Sequence, residues 1–136
     1  MEIWKDIKGF EGMYQISSFG NIKSLDRYVI GNQHGFKELR PGKQLKPYLG
    51  GRKGKGYLRV SLSKEDRKTI IPIHVCVAKT FILNPDNKAQ VNHKDLNKMN
   101  NHVNNLEWMT QTENIQHYFR NRKGRREQIV MFPINQ

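Results

Sequence analysis

Cysteine is almost absent from this chain. Its 136 residues contain one cysteine, Cys76. A single thiol excludes an internal disulfide and every zinc finger or zinc ribbon that needs two or more thiolate ligands. The redox compartment is therefore unconstrained, and the reducing cytoplasm is the default expectation.

Long apolar stretches are also missing. No run approaches the roughly 18 apolar residues of a membrane span, and MEIWKDIKGF has neither the charge order nor the apolar length of a signal peptide. We therefore expect a protein without membrane partners that stays in the compartment where it is made.

Acidic residues are few relative to basic ones. Lys and Arg number 24 against 12 Asp and Glu, so the formal net charge is +12. Folding does not require such an excess, and a polyanionic partner is its simplest explanation. The length suits one compact domain or two very small lobes that share a core.

Two β-hairpins are predicted in the first half of the chain. Residues 14–18 alternate, Gly20-Asn21 supplies a turn, and residues 22–25 form the returning strand. Residues 57–62 and 68–72 alternate in the same way around a polar turn, and the proline that ends the second segment should end its strand.

The segment between these hairpins, residues 26–56, is rich in glycine and proline, so we predict that it is irregular and mobile. A solvated loop is the ordinary interpretation of a charge run. Residues 40–59 carry basic residues and no acidic one, interleaved with Tyr48 and Tyr57, so we favour contact with phosphates. The residues predicted to bind DNA here are Arg40, Lys43, Lys46, Arg52, Lys53, Lys55 and Arg59.

A short buried helix is predicted over residues 73–83, with a strand as the alternative. Ile73 and Phe81 belong to an apolar series at helical spacing, which stops before an Asn-Pro pair. His74 and Cys76 are potential metal ligands in this helix. Because they lie one residue apart among apolar neighbours, we expect them to be core or DNA-facing residues instead.

The most informative stretch is residues 91–114, VNHKDLNKMNNHVNNLEWMTQTEN. A strand over residues 90–93, a polar loop and a second strand over residues 106–109 are predicted here. Thr110 and Glu113 then form a capping box, which begins a helix. The predicted unit is strand, loop, strand, helix, and Trp108 should pack the hairpin against the helix.

This unit contains the groups that hydrolysis of a phosphodiester requires. A base must take a proton from water, and a cation must neutralise the charge that gathers on the phosphate. His93, at the end of a strand, suits the base. Asn92 and Asn114 offer carboxamide oxygens to a hard cation such as Mg²⁺, with Mn²⁺ or another divalent cation as alternatives. Asn105 is predicted to bridge the two strands and to fix the orientation of the histidine.

The stretch resembles the HNH endonuclease motif of phage and intron-encoded homing endonucleases. Upstream, WKDIKGFEGMYQISSFGNIKSL resembles the NUMOD4-like module that often precedes this nuclease, and IHVCVAKTFILNP resembles the helix that leads into it. The resemblance implies an α+β fold, with amino-terminal antiparallel β-hairpins followed by a ββα-metal nuclease core. It also implies that His93 is the general base, Asn105 the central structural asparagine and Asn114 a metal ligand.

This resemblance divides the chain into three predicted segments: residues 1–72 as a β-rich DNA-binding module, 73–122 as the nuclease core and 123–136 as a basic tail. Several relatives carry Asp where this chain has Asn92, so we expect weak metal affinity. Asp95 and His117 are candidate auxiliary residues, with a loop turn and an exposed or DNA-facing position as the respective alternatives.

The remaining asparagines of the loop are expected to form turns, because Asn is an ordinary turn residue. They are Asn97, Asn100, Asn101 and Asn104. Basic residues are dense near the end of the chain, and one or two of them are explained by the helix dipole, at about 0.3 to 1 kcal/mol each. Those predicted to bind DNA are Arg120, Arg122 and Lys123.

The residues together with this resemblance predict a metal-dependent endonuclease that hydrolyses double-stranded DNA, and the resemblance implies that it is encoded by a phage and acts in the cytoplasm of a bacterial host. One active site per chain predicts nicking by a monomer, whereas cleavage of both strands would need a dimer or two binding events. Two alternatives stay open. A DNA-binding protein derived from such a nuclease would have little or no activity, and an RNA-binding protein would stack bases on Tyr48 and Tyr57.

Overall fold

The structure, a computed structural model, describes residues 1–31, 34–54 and 56–125, with side chains to Arg122 in the last helix. Lys55, the side chain of Lys123 and the basic tail beyond Arg125 lie outside the described residues. The strands are β1 Trp4–Asp6, β2 Tyr14–Ser17, β3 Ile22–Ser24, β4 Arg27–Ile30, β5 Lys37–Arg40, β6 Tyr48–Leu49, β7 Leu58–Lys64, β8 Arg67–Pro72, β9 Gln90–His93 and β10 Leu106–Met109. The helices are α1 Ile73–Phe81 and α2 Gln111–Arg125.

The first hairpin is formed by β2 and β3, as predicted. Gly20 lies in its turn with φ +87°, a left-handed conformation that glycine adopts without steric cost. Strand β1, which the sequence analysis did not predict, adds a third antiparallel strand through the pair Trp4 and Ser17. The ribbon thereby becomes a sheet, and Ile16 on its inner face is buried.

The segment predicted to be irregular contains a second hairpin, formed by β4 and β5, and the short strand β6. The prediction of irregular structure over residues 26–56 was wrong for these residues. Tyr28 and Ile30 are 70% and 75% exposed. Because the hairpin buries no apolar face, its strands lack the alternation that would have revealed them, and backbone pairing alone defines them.

The third hairpin, β7 and β8, confirms the prediction, and α1 begins directly after Pro72. Strand β7 buries Val60 and Leu62, while α1 buries Val77 against the same cluster. Since the chain leaves β8 and enters α1 without a connecting loop, the sheet fixes where the helix lies.

One hydrophobic core joins the first sheet, the third hairpin, α1 and the pair of strands β9 and β10. Ile16 of the first sheet, Leu62 of β7 and Leu106 of β10 belong to a single buried cluster. Burying each such side chain contributes about 1.5 to 3 kcal/mol. The predicted module of residues 1–72 and the predicted nuclease core therefore support each other through shared packing.

The last part of the fold is the predicted ββα unit. Strands β9 and β10 pair antiparallel, and α2 is capped by the Thr110 hydroxyl, which accepts a hydrogen bond from the Glu113 N–H at 3.1 Å. Trp108 packs on the core, as predicted, and its Nε1 donates to the Ile82 carbonyl at 3.1 Å. No helix in the described residues is long and apolar enough to span a bilayer.

Candidate active site

His93 is the last residue of β9 and is buried. Its Nε2 lies 2.8 Å from Oδ1 of Asn101. Because a carboxamide oxygen only accepts hydrogen bonds, this contact places the ring proton on Nε2. Nδ1 then carries the lone pair, which is the state that a general base requires.

Asn101 is the residue that the sequence analysis missed. It was assigned to a turn, yet it is only 5% exposed and contacts the imidazole directly. Nothing in the sequence separates it from Asn100 or Asn104, which lie in the same polar loop. Only the tertiary fold shows which of these amides meets the histidine.

The Asn105 side chain, which was predicted to bridge the two strands and to orient His93, connects two residues of the loop, Asp95 and Asn100. Its side-chain oxygen accepts from the Asp95 N–H at 3.1 Å, and its amide donates to the Asp95 carboxylate and to the Asn100 carbonyl, each at 2.9 Å. Its own carbonyl accepts from the Lys94 N–H at 2.8 Å. The contact that orients the imidazole, however, comes from Asn101 instead of Asn105.

Asn92 and Asn114 line one cleft of about 150 Å³ together with His93. The Asn92 amide donates to Glu107 Oε1 at 3.1 Å, and the Asn114 amide donates to Gln90 Oε1 at 2.9 Å. Since each amide nitrogen is engaged by a protein acceptor, the oxygen is the end of each side chain that a cation would meet. The structure thus brings together the three residues predicted to form the metal site and the base.

The carboxamide oxygens of Asn92 and Asn114 suit a hard cation that the protein binds only weakly. Carboxamide oxygens are ligands that Mg²⁺ accepts, but they carry no charge. Among the described residues, no group of three or more His, Cys, Asp or Glu side chains is arranged to hold a metal. A cation here would therefore take much of its coordination from water and from a bound phosphate.

The two candidate auxiliary residues have other roles. Asp95 accepts hydrogen bonds that shape the loop, and the Asn100 amide, followed by the Asn97 N–H, holds the pKa of Asp95 below its ordinary value. His117 Nε2 lies 3.1 Å from the Lys94 carbonyl, so that ring braces α2 against the end of β9. Neither side chain lines the cleft.

Three aromatic rings meet beside the cleft. The ring centroids of His74 and His93 are 5.1 Å apart, and Tyr57 lies 4.4 Å from the first and 5.8 Å from the second. Burial, aided by the nearby charge of His93, lowers the pKa of His74 to about 4. His74 is therefore neutral at pH 7 and packs against His93, as the core interpretation predicted. Cys76 is buried on the same helix, and burial raises the pKa of its thiol to about 11.

Comparison with known proteins shows which proteins this chain is similar to. Residues 2–63 match the NUMOD4 motif. The chain is 37% identical over 122 residues to an uncharacterised HNH endonuclease of Acanthamoeba polyphaga mimivirus, covering 88% of this chain and 36% of that protein. It is 35% identical over 113 residues to the DNA endonuclease I-HmuI of Bacillus phage SP01, covering 83% of this chain and 55% of the relative.

A solved structure agrees with the sequence comparison. The HNH homing endonuclease I-HmuI, described as binding and cleaving DNA, matches with a TM-score of 0.70 at 32% identity, over 94% of this chain and 66% of that one. This chain is a homologue of the HNH endonucleases. The family resemblance and the α+β fold class are confirmed. The chain spans about a quarter to a half of the length of the curated relatives that it matches.

The basic residues of this HNH homologue differ in their exposure. Most of those predicted to bind DNA have exposed side chains, namely Arg40, Lys43, Lys46, Arg52, Lys53 and Arg120. Arg59 and Arg122 are half-buried. The Arg59 guanidinium packs so closely under Gly50 that a Cβ at Gly50 would overlap it. Arg59 therefore supports the loop from β6 to β7, in addition to any contact with a ligand.

Proposed function

We propose that this HNH homologue hydrolyses phosphodiester bonds in double-stranded DNA with the help of a divalent cation, Mg²⁺ before others. The observation that carries the proposal is the shared cleft, in which His93 lies beside Asn92 and Asn114 with its tautomer set by Asn101. A base and two oxygen donors that converge on one small cleft suit the attack of water on phosphate.

The reaction is inferred from the residues that line the cleft. Nδ1 of His93 takes a proton from the attacking water, and the resulting imidazolium is stabilised by its Nε2–H donation to Asn101. Asn92 and Asn114 would hold the cation, which supplies Lewis-acid stabilisation of the phosphate and the leaving oxygen when it is bound. Tyr57 and Leu96 also line the cleft.

Duplex DNA is the proposed substrate because of the positive net charge of the chain and its similarity to a DNA endonuclease. The net charge of +12 favours a polyanion, and I-HmuI is described as binding and cleaving DNA. A single candidate active site within the described residues supports nicking by a monomer. The relative from a Bacillus phage supports a phage origin and action in the cytoplasm of a bacterial host.

The proposal is tested with supercoiled plasmid, which reports a single nick as relaxed circles. Wild-type protein is expected to relax the plasmid with Mg²⁺ or Mn²⁺ and to stop when EDTA is added. An equal rate of relaxation in EDTA would contradict the requirement for a cation. Plasmid that stays supercoiled with every divalent ion would contradict the proposed nuclease activity.

A second candidate is a DNA-binding protein without nuclease activity, which the absence of charge at Asn92 and Asn114 favours. Binding to a labelled duplex without any nicking would establish it. In the same binding assay, competition by unlabelled duplex DNA that exceeds competition by RNA supports the proposed substrate, whereas preference for RNA contradicts it.

A further inference from the structure

The turn between β2 and β3, residues 18–20, lies against the loop that carries Asn101. The Ser18 carbonyl accepts a hydrogen bond from the Val103 N–H at 2.8 Å. The Phe19 ring stacks on the His102 ring, with centroids 4.8 Å apart and planes inclined by 28°. Two successive residues of the turn thus hold two successive residues of the loop.

The third contact, between Gly20 of the turn and Asn101 of the loop, is the closest. A Cβ at Gly20 would come within 2.9 Å of the Asn101 Cβ and 3.0 Å of the Asn101 carbonyl oxygen. Any larger residue at this position would push Asn101 away. Gly20 also has φ +87°, so the turn needs glycine for its backbone as well as for this approach.

The side chain held in this way is the one that contacts the proposed base. Asn101 Oδ1 lies 2.8 Å from His93 Nε2, and both residues are buried. The loop from residue 94 to residue 105 has little regular structure of its own, apart from the 3-10 turn Val103–Asn105. Its position at Asn101 therefore depends on hydrogen bonds within the loop, such as that from Asn105 to the Asn100 carbonyl, and on the turn that packs against it.

We propose that the turn of residues 18–20 is a positioning element for the proposed base. It holds Asn101 where the carboxamide oxygen accepts the His93 Nε2 proton, and this contact fixes the tautomer whose Nδ1 takes the proton from water. The inference rests on the proposed function and deepens it. The turn lies inside the NUMOD4 match, so that motif would support the nuclease cleft in addition to any contact with DNA.

The expected effect of disturbing the turn is on the rate of hydrolysis, not on binding. Asn101 contacts the imidazole directly, is buried and does not line the cleft. Small displacements of a catalytic group cost rate steeply, on the order of 100-fold for 1 Å. A shift of Asn101 should therefore slow nicking while the affinity for DNA stays near that of the wild type.

Gly20→Ala and Gly9→Ala form a matched pair. Both glycines have nearly the same conformation, with φ +87° and +88°, but a Cβ at Gly9 meets nothing within 4 Å. Backbone strain is thus common to both variants, and only Gly20→Ala displaces Asn101. We expect Gly20→Ala to slow single-turnover nicking at least about tenfold with a Kd for duplex DNA within about twofold of the wild type. Gly9→Ala should nick at the wild-type rate, and equal losses in the two variants would overturn the proposal.

Variants of Asn101 test the same contact with the turn left intact. Asn101→Leu removes the hydrogen-bond acceptor for His93 and should slow nicking as Gly20→Ala does. Asn101→Asp keeps an acceptor and should retain most of the wild-type rate. The double variant Gly20→Ala with Asn101→Leu should be no slower than Asn101→Leu alone. Additive losses would show that the turn acts by another route.

The ring nitrogens of His93 provide a readout that does not depend on activity. In ¹⁵N NMR spectra at one alkaline pH, the wild type and Gly9→Ala should show the proton on Nε2, and Gly20→Ala and Asn101→Leu should show a mixture of tautomers. Failure of the wild type to nick DNA would overturn the proposed function, whereas a pure Nε2–H tautomer in Gly20→Ala would overturn the positioning role.

Discussion

The ββα unit and the hairpin of β4 and β5 both depart from the usual rule that apolar side chains are buried and polar ones exposed, but they do so in opposite ways. The first buries polar side chains, including Asn92, His93 and Asn101, and the second exposes Tyr28 and Ile30. A buried polar group costs about 1 to 3 kcal/mol unless it is hydrogen-bonded, and each of these three has a partner. The unit therefore maintains a fixed polar arrangement, while the hairpin contributes little to the core.

The largest predicted difference between the two regions is in stability. Leu62→Ala, in the core at 0% exposure, should lower the free energy of unfolding by about 2 to 5 kcal/mol. Ile30→Ala, in the exposed hairpin, should change it by no more than about 0.5 kcal/mol. Urea titrations followed by circular dichroism measure both, and a large loss in Ile30→Ala would mean that the hairpin packs on something.

Asn92→Asp should change the cleft from a neutral site to a charged one. The new carboxylate would be buried and would face Glu107, which now accepts a hydrogen bond from Asn92, so the metal-free variant should melt at a lower temperature than the wild type. Mg²⁺ should restore much of that loss and bind about tenfold more tightly, a gain of about 1.4 kcal/mol.

Asn104→Asp is the control for this variant, because Asn104 is exposed in the same loop. Its melting temperature should not respond to Mg²⁺ more than that of the wild type. A response to Mg²⁺ that is equal in Asn92→Asp and Asn104→Asp would argue against a cation beside Asn92.

A smaller effect is expected from His74 as the pH falls. Its pKa is about 4 in the folded protein against an ordinary value of 6.5, so the unfolded chain binds more protons between these values. The stability contributed by neutral His74 is complete above pH 6.5 and is lost as the pH falls towards 4. Urea midpoints at pH 7 and pH 5 should differ less in His74→Leu than in the wild type, and an unchanged difference would contradict this assignment.

Much of the ββα unit could be predicted because its signals are local. Alternation marked β9 and β10, the capping box marked the start of α2, and residue chemistry pointed to His93. Asn92 and Asn114 were placed in the metal site from the same stretch, and the structure brings both to the cleft.

The remaining features depend on contacts between distant parts of the chain. Asn101 is chemically identical to the other asparagines of the loop. Only the approach of Gly20 shows why Asn101 is the one that faces the imidazole. The β4 and β5 hairpin was missed for a related reason, since strands that bury nothing leave no pattern in the sequence. The shared core of the two predicted segments likewise emerges only when the sheets pack.

The most direct test of the proposed site is the rate of plasmid nicking by His93→Ala under single-turnover conditions with Mg²⁺. Removal of a general base should slow nicking by about 10² to 10⁴-fold while duplex binding is kept. His34→Ala, which removes an exposed histidine between β4 and β5, should leave the rate unchanged. Nicking by His93→Ala at the wild-type rate would contradict the assignment of His93 as the base.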